Sequence, residues 1–275
     1  MWPGHPTIPQ AFPPLPMFDG EKVVETNPDQ SQFTKRFTER AVEFIEKNKD
    51  QPFFLYVPHV MPHAPLYASD SFRGKSDQGL YGDVIQEIDA SVGAIINCLN
   101  RNGLKDNTLV IFLSDNGPWL SYGNHAGRAD PFRSGKLTTW EGGLRVPCIA
   151  YWPGEIPAGQ VSDSLVTSMD LLPTIAHIAD TGLPERPIDG KNLWPLLSGE
   201  KSFQNPRETF YYYQTNELQA VRHGPWKLHA PHAYVEVDGE PGRDGKPANW
   251  NGLIPMTEAK SDPFSIAKRH GYRIE

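Results

Sequence analysis

The sequence predicts an α/β fold with a small antiparallel appendage, and three observations carry that expectation. Two long segments hold apolar residues at helical spacing, short apolar runs follow them, and near residue 200 the texture changes to brief β-prone pieces separated by turn residues. At 275 residues the chain is long enough to bury a real core, as one large domain or as one domain with a small unit attached. Two parts are expected: an α/β part over residues 1–200, with a mixed or parallel sheet flanked by helices, and a small antiparallel part with a loop-rich tail over 201–275.

The opening MWPGHPTIPQAFPPLPMFDG has six prolines in its first sixteen residues and lacks the basic start and apolar core of a secretory signal. It reads as a loop, so that Met1 opens inside a connection. In SQFTKRFTERAVEFIEKNKD, Phe33, Phe37, Val42, Phe44 and Ile45 recur at roughly helical spacing, with Thr34, Lys35, Glu39 and Arg40 between them. That pattern predicts an amphipathic helix. PFFLYV, bounded by Pro52 and Pro58, reads as a short buried strand. A second helix is expected where Val84, Ile85, Ile88, Val92, Ile95, Ile96 and Leu99 share a face, with Gly103 as its stop.

TLVIFLS and VPCIAYW have the nearly unbroken apolar character of strands covered on both faces in a parallel sheet. SMDLLPTIAHIADTG predicts a further helix capped by Ser168 and ended by Gly182. Three short strands are few for such a sheet, so part of it is expected to be missing. ETFYYYQ, LQAVRHG and PWKLHA predict an antiparallel meander, and DGEPGRDGKPANWNG a long loop.

Lys and Arg total 26 against 33 Asp and Glu, a net charge of −7 without a run of like charges. This argues against nucleic acid or an anionic membrane as the main partner, so an anionic substrate needs a local site. No stretch approaches the roughly twenty apolar residues of a membrane span. The two cysteines, Cys98 and Cys148, are expected to be buried free thiols.

Ligands of open α/β sheets bind beyond the carboxyl ends of strands, and three candidate features stand there. Asp115 and Asn116 directly follow TLVIFLS and offer two hard oxygen donors suited to Ca²⁺ or Mg²⁺, although Asp-Asn-Gly is also a favoured turn sequence. His59 and His63 follow PFFLYV in a loop stiffened by Pro58, Pro62 and Pro65, where a rigid imidazole suits anion binding or proton transfer. In SGKLTTWEGGLRVP, glycines flank Lys136, an ammonium able to stabilise charge on a transferring sulfuryl or phosphoryl group. Glu141 and Arg145 are expected to pair within this loop. Together these groups suit a tetrahedral oxyanion.

The ordered motifs PFFLYVPHVMPHAPL, YGDVIQEIDASVG, TLVIFLSDNG, GKLTTWEGGLRVP and SMDLLPTIA closely resemble the type I sulfatases, the arylsulfatase A-like branch of the alkaline phosphatase superfamily, from about residue 30 to about 230. The resemblance implies a partial alkaline-phosphatase-like sheet and hydrolysis of a sulfate ester. It implies that Asp115 and Asn116 are half of a Ca²⁺ site and that Lys136 and His63 grip the sulfate of the substrate; His59 has no counterpart. Family members use a formylglycine made from the Cys or Ser of a Cys/Ser-x-Pro-x-Arg motif, which neither cysteine nor any serine opens here. The family's early Asp-Asp pair is absent as well. The chain therefore reads as an N-terminally truncated sulfatase, inactive alone, whose intact relatives are exported. A non-catalytic relic that binds sulfated ligands or a partner is one alternative, and a related metal-dependent phosphohydrolase is another.

Overall fold

The computed structural model describes residues 13–235, 237, 240–248 and 253–255. The opening up to residue 12 and the ending DPFSIAKRHGYRIE lie outside the described residues. The chain divides into two units, one from the described residues of 1–104, 118–128 and 237–251, the other from those of 105–117, 129–236 and 252–275.

The first unit begins with an antiparallel hairpin, β1 (Pro16–Asp19) and β2 (Lys22–Thr26), in place of the expected connection. Gly20 turns it at φ 59, a left-handed conformation that glycine adopts without a Cβ clash. The two expected helices follow as α1 (Phe33–Asn48) and α2 (Gly79–Arg101), packed on each other. Helix α1 buries Phe33, Ala41 and Ile45; α2 buries Val84, Ile88, Cys98 and Leu99. Gly103 stops α2 as its position predicts: its φ is 71, its N–H donates to the Asn100 carbonyl at 3.1 Å, and the Leu104 N–H donates to the Leu99 carbonyl at 2.9 Å. This paired closure satisfies carbonyls that the helix end would leave bare.

Two acids on α2 hold the chain that precedes it. Asp83 accepts the N–H groups of Gly74, Lys75 and Ser76, and Glu87 accepts that of Ser69. Beneath them Met61, Leu66, Ala68, Val84 and Ile88 form the core of this unit. The run at residues 52–57 is not the buried strand its composition predicts. It has no strand partner among the described residues, and Phe54 and Tyr56 are 70% and 75% exposed. Apolar composition makes a segment prone to strand, but only a second strand completes the ladder.

The second unit contains β3 (Val110–Leu113), the short α3 (Glu141–Leu144), β4 (Cys148–Tyr151), α4 (Leu171–Ile178) and α5 (Trp194–Leu197). Strands β3 and β4 are the expected apolar runs, yet they pair antiparallel, from Val110 opposite Tyr151 to Leu113 opposite Cys148. Neither is covered on both faces: Phe112 is 39% and Ile149 61% exposed. Apolar residues record what a strand would bury, not the direction of its neighbour. Both cysteines are free as expected, but Cys148 on this open ribbon is exposed while Cys98 is buried.

A 3₁₀ turn at Ser168–Asp170 leads into α4, with Thr167 rather than Ser168 in the capping position. The Thr167 N–H donates to the Asp170 carboxylate at 2.7 Å. The helix ends at Ile178, before Gly182, because Asp180 takes the left-handed conformation at φ 48. Asp170 is fully buried and also accepts the Lys191 N–H and both terminal nitrogens of Arg207, at 2.6 and 2.9 Å. Burial alone would raise its carboxyl; Arg207 and the two backbone donors outweigh that and hold it below its ordinary value.

The expected meander is present as β5 (Thr209–Gln214), β6 (Glu217–His223) and β7 (Trp226–His229), antiparallel in that order. β8 (Ala233–Val235) pairs with β9 (Leu253–Pro255). The molecule is thus α/β with antiparallel sheets towards its C-terminus, in agreement with the predicted class. Among the described residues no helix is long and apolar enough to cross a membrane.

Candidate functional site

Lys136 sits half-buried on the loop between β3 and α3. This loop folds on itself through its glycines: the Gly142 N–H donates to the Arg133 carbonyl at 2.8 Å, and Thr138 Oγ1 donates to the Gly135 carbonyl at 2.8 Å. A Cβ on Gly142 would collide with the carbonyls of Arg133 and Ser134. The glycine pair is therefore a requirement of close backbone approach. The Arg133 guanidinium carbon lies over the Trp140 ring, 3.7 Å from its centroid.

Asp115 and Asn116 stand just beyond the carboxyl end of β3, Asp115 exposed and Asn116 half-buried. The Asn116 amide nitrogen donates to the Gly117 carbonyl at 2.8 Å, and Ser114 Oγ donates to the Asn116 carbonyl at 3.0 Å. Bound in this way, Asn116 keeps its side-chain oxygen as the acceptor. The two candidate loops meet through backbone. The Gly117 N–H donates to the Gly143 carbonyl at 2.9 Å, and a Cβ on Gly117 would collide with the Gly142 carbonyl. One locked contact thus joins the oxygen-bearing strand end to the lysine-bearing loop within the second unit.

His63 belongs to the first unit. Its Nδ1 bonds the Ala64 carbonyl at 2.7 Å; a carbonyl can only accept, so Nδ1 carries a proton and donates it there. The exposed ring meets Trp119 edge-on at 5.3 Å. His59 is half-buried: its Nε2 lies 3.1 Å from Ser91 Oγ, its ring stacks towards Phe37, and burial pushes its pKa down.

Glu141 does not pair with Arg145 as the sequence suggests. It bonds Lys227 at 2.7 Å and lies 3.5 Å from Arg222, while Arg145 reaches Asp163 at 3.9 Å and covers the Phe132 ring. The partners are some 80 residues away in the sequence, at separations of 86 and 81 positions, so no local pattern shows them. His229, stacked on Trp140 at 3.7 Å, is equally hidden in the sequence; burial first, then the nearby charges of Lys227 and Arg133, push it down to about 2 and keep it neutral.

Asp115 and Asn116 provide two hard oxygens towards a Ca²⁺ shell of roughly six to eight. Among the described residues no group of three or more His, Cys, Asp or Glu side chains is placed to hold a metal. Among the described residues the oxygen donors of Asp115 and Asn116 suit such an ion in kind and fall short of its shell in number.

The sulfatase family model matches residues 7–181. The chain is 43% identical over 198 residues to an arylsulfatase of Hemicentrotus pulcherrimus, which covers 71% of this chain and 35% of that protein. It is 44% identical over 204 residues to N-acetylgalactosamine-6-sulfatase of Mus musculus, covering 73% and 39% respectively. Among solved structures, the PsFucS1 sulfatase from Pseudoalteromonas sp. superposes with a TM-score of 0.72 at 28% identity, over 85% of this chain and 47% of that one. The chain thus spans well under half the length of these curated relatives. With the match extending over more than half of its residues, the chain belongs to the sulfatase family.

Proposed function

We propose that this chain carries the sulfate-binding part of a sulfatase active site and that the substrate class is a sulfate ester. The observation that supports this most is the backbone lock between Gly117 and Gly143, which presents Lys136 and the Asp115–Asn116 pair from one rigid framework. Lys136 neutralises the sulfate oxygens as charge builds on them. Asp115 and Asn116 are assigned to a Ca²⁺ ion whose other ligands belong to the part of the relatives that this chain does not span. On the family resemblance alone, His63 is assigned as a second sulfate-binding group, its Nε2 being the ring nitrogen not engaged by the Ala64 carbonyl. The formylglycine of the family would supply the nucleophile, and no cysteine or serine of this sequence opens its motif.

The test is calorimetric titration with inorganic sulfate beside an assay with 4-nitrophenyl sulfate. The chain alone is expected to bind sulfate without hydrolysing the ester. Lys136→Ala is expected to weaken binding on the order of tenfold or more, the worth of a charge-assisted hydrogen bond of about 1.5–3 kcal/mol. Unchanged affinity in that variant removes Lys136 from the site. Turnover by the chain alone, abolished by Lys136→Ala, overturns the assignment of a binding part without a nucleophile.

A further inference from the structure

The loop carrying Lys136 is held from the C-terminal sheet. In the register of β5, β6 and β7, Tyr212 lies opposite Ala220, Ala220 opposite His229, and Arg222 opposite Lys227. Alternation along antiparallel strands therefore places Tyr212, Arg222, Lys227 and His229 on one face. That face grips three consecutive loop residues. Lys227 Nζ donates to the Thr139 carbonyl and to Glu141 Oε1, both at 2.7 Å, while Trp140 stacks on His229. Gln219, at the bulge where β6 slips against β5, accepts Thr139 Oγ1 at 3.0 Å. Bulges re-aim side chains in this manner.

Lys227 is the unusual member of the set. Its side chain is 12% exposed and its ammonium lies 3.7 Å from the Tyr212 ring centroid. Burying a cation costs free energy that an apolar residue of similar length would not incur, and a buried pair is a weak source of stability. What the ammonium adds is direction. It fixes one backbone carbonyl and one carboxylate of the segment that continues into Gly142 and Gly143, and so into the lock with Gly117.

We propose that Lys227 is a positioning residue, which, through Thr139 and Glu141, sets the place of the 133–143 loop and hence of Lys136 against a bound sulfate. This rests on the assignment of Lys136 to sulfate made above. Lys227→Met keeps the length and removes the ammonium; Lys227→Arg keeps the charge. In the full chain, Lys227→Met is expected to speed amide exchange at Gly117 and Gly142 about tenfold while the β6–β7 ladder keeps its protection. Sulfate affinity should fall about tenfold and recover at least in part in Lys227→Arg. In a Lys136→Ala background, Lys227→Met should weaken sulfate no further, because its effect passes through Lys136.

An equal loss in both backgrounds, or unchanged exchange at Gly117 and Gly142, overturns the proposal. If Lys227→Met fails to fold, Glu141→Gln weakens the same ion pair without changing shape and is read by the same exchange. If Lys136→Ala leaves sulfate affinity unchanged, the functional assignment fails by itself, and the exchange at Gly117 and Gly142 still decides whether Lys227 holds the loop.

Discussion

Asp170 shows how a single residue organises its surroundings. Four donors converge on a carboxylate without solvent exposure, from Thr167, Lys191 and the two ends of the Arg207 guanidinium. Removing Arg207 strands that charge, so Arg207→Met should destabilise the unit by about 3–5 kcal/mol, measured by chemical denaturation. Because the folded carboxyl titrates below its ordinary value of 3.8, its contribution is fully present above that value. It is lost as the pH falls through the lower, folded value. Asp170→Asn should therefore flatten the acid limb of a stability–pH curve, whereas an unchanged limb would place the acid sensitivity elsewhere.

Among the elements, the 133–143 loop has its conformation set by two adjoining contacts in its second half. Gly142 and Gly143 pack against Gly117, and just before them Thr139, Trp140 and Glu141 are held by β6 and β7. A methyl group at Gly117 meets backbone, which cannot rotate away. Gly117→Ala should cost about 1–3 kcal/mol as an overpacking change and weaken sulfate binding, while an Ala at Gly182, beyond α4, meets no atom within 4 Å. Equal sulfate affinity in Gly117→Ala and the parent would separate the lock from the site. Motif spacing revealed the glycines; the contact between Gly117 and Gly142 became visible only in three dimensions.

The chain as a whole has much apolar surface uncovered for its size. Phe54, Tyr56, Ile149, Trp226 and Leu228 are each more than half exposed, and the extended run at 52–57 has unpaired edges among the described residues. Open edges and apolar patches promote association, and a net charge of −7 opposes it only in part. Sedimentation velocity on the isolated chain should show concentration-dependent self-association and binding of a hydrophobic dye. A monomer at all concentrations, with one sharp melting transition, would count against this.

Local pattern was sufficient for α1, α2 with its Gly103 stop and the meander of β5 to β7, and motif order was what singled out Asp115, Asn116, His63 and Lys136 as candidates. Helical periodicity, turn chemistry and motif order all act over a few residues, so a linear string displays them. Pairing did not follow from the string: the direction of β4 against β3, the solitary extension at 52–57, and the transfer of Glu141 from Arg145 to Lys227. These depend on which distant surface arrives at a given side chain. Burial and hydrogen bonding are settled there by non-local packing, and residues 81 to 86 positions apart meet only once the sheet has formed.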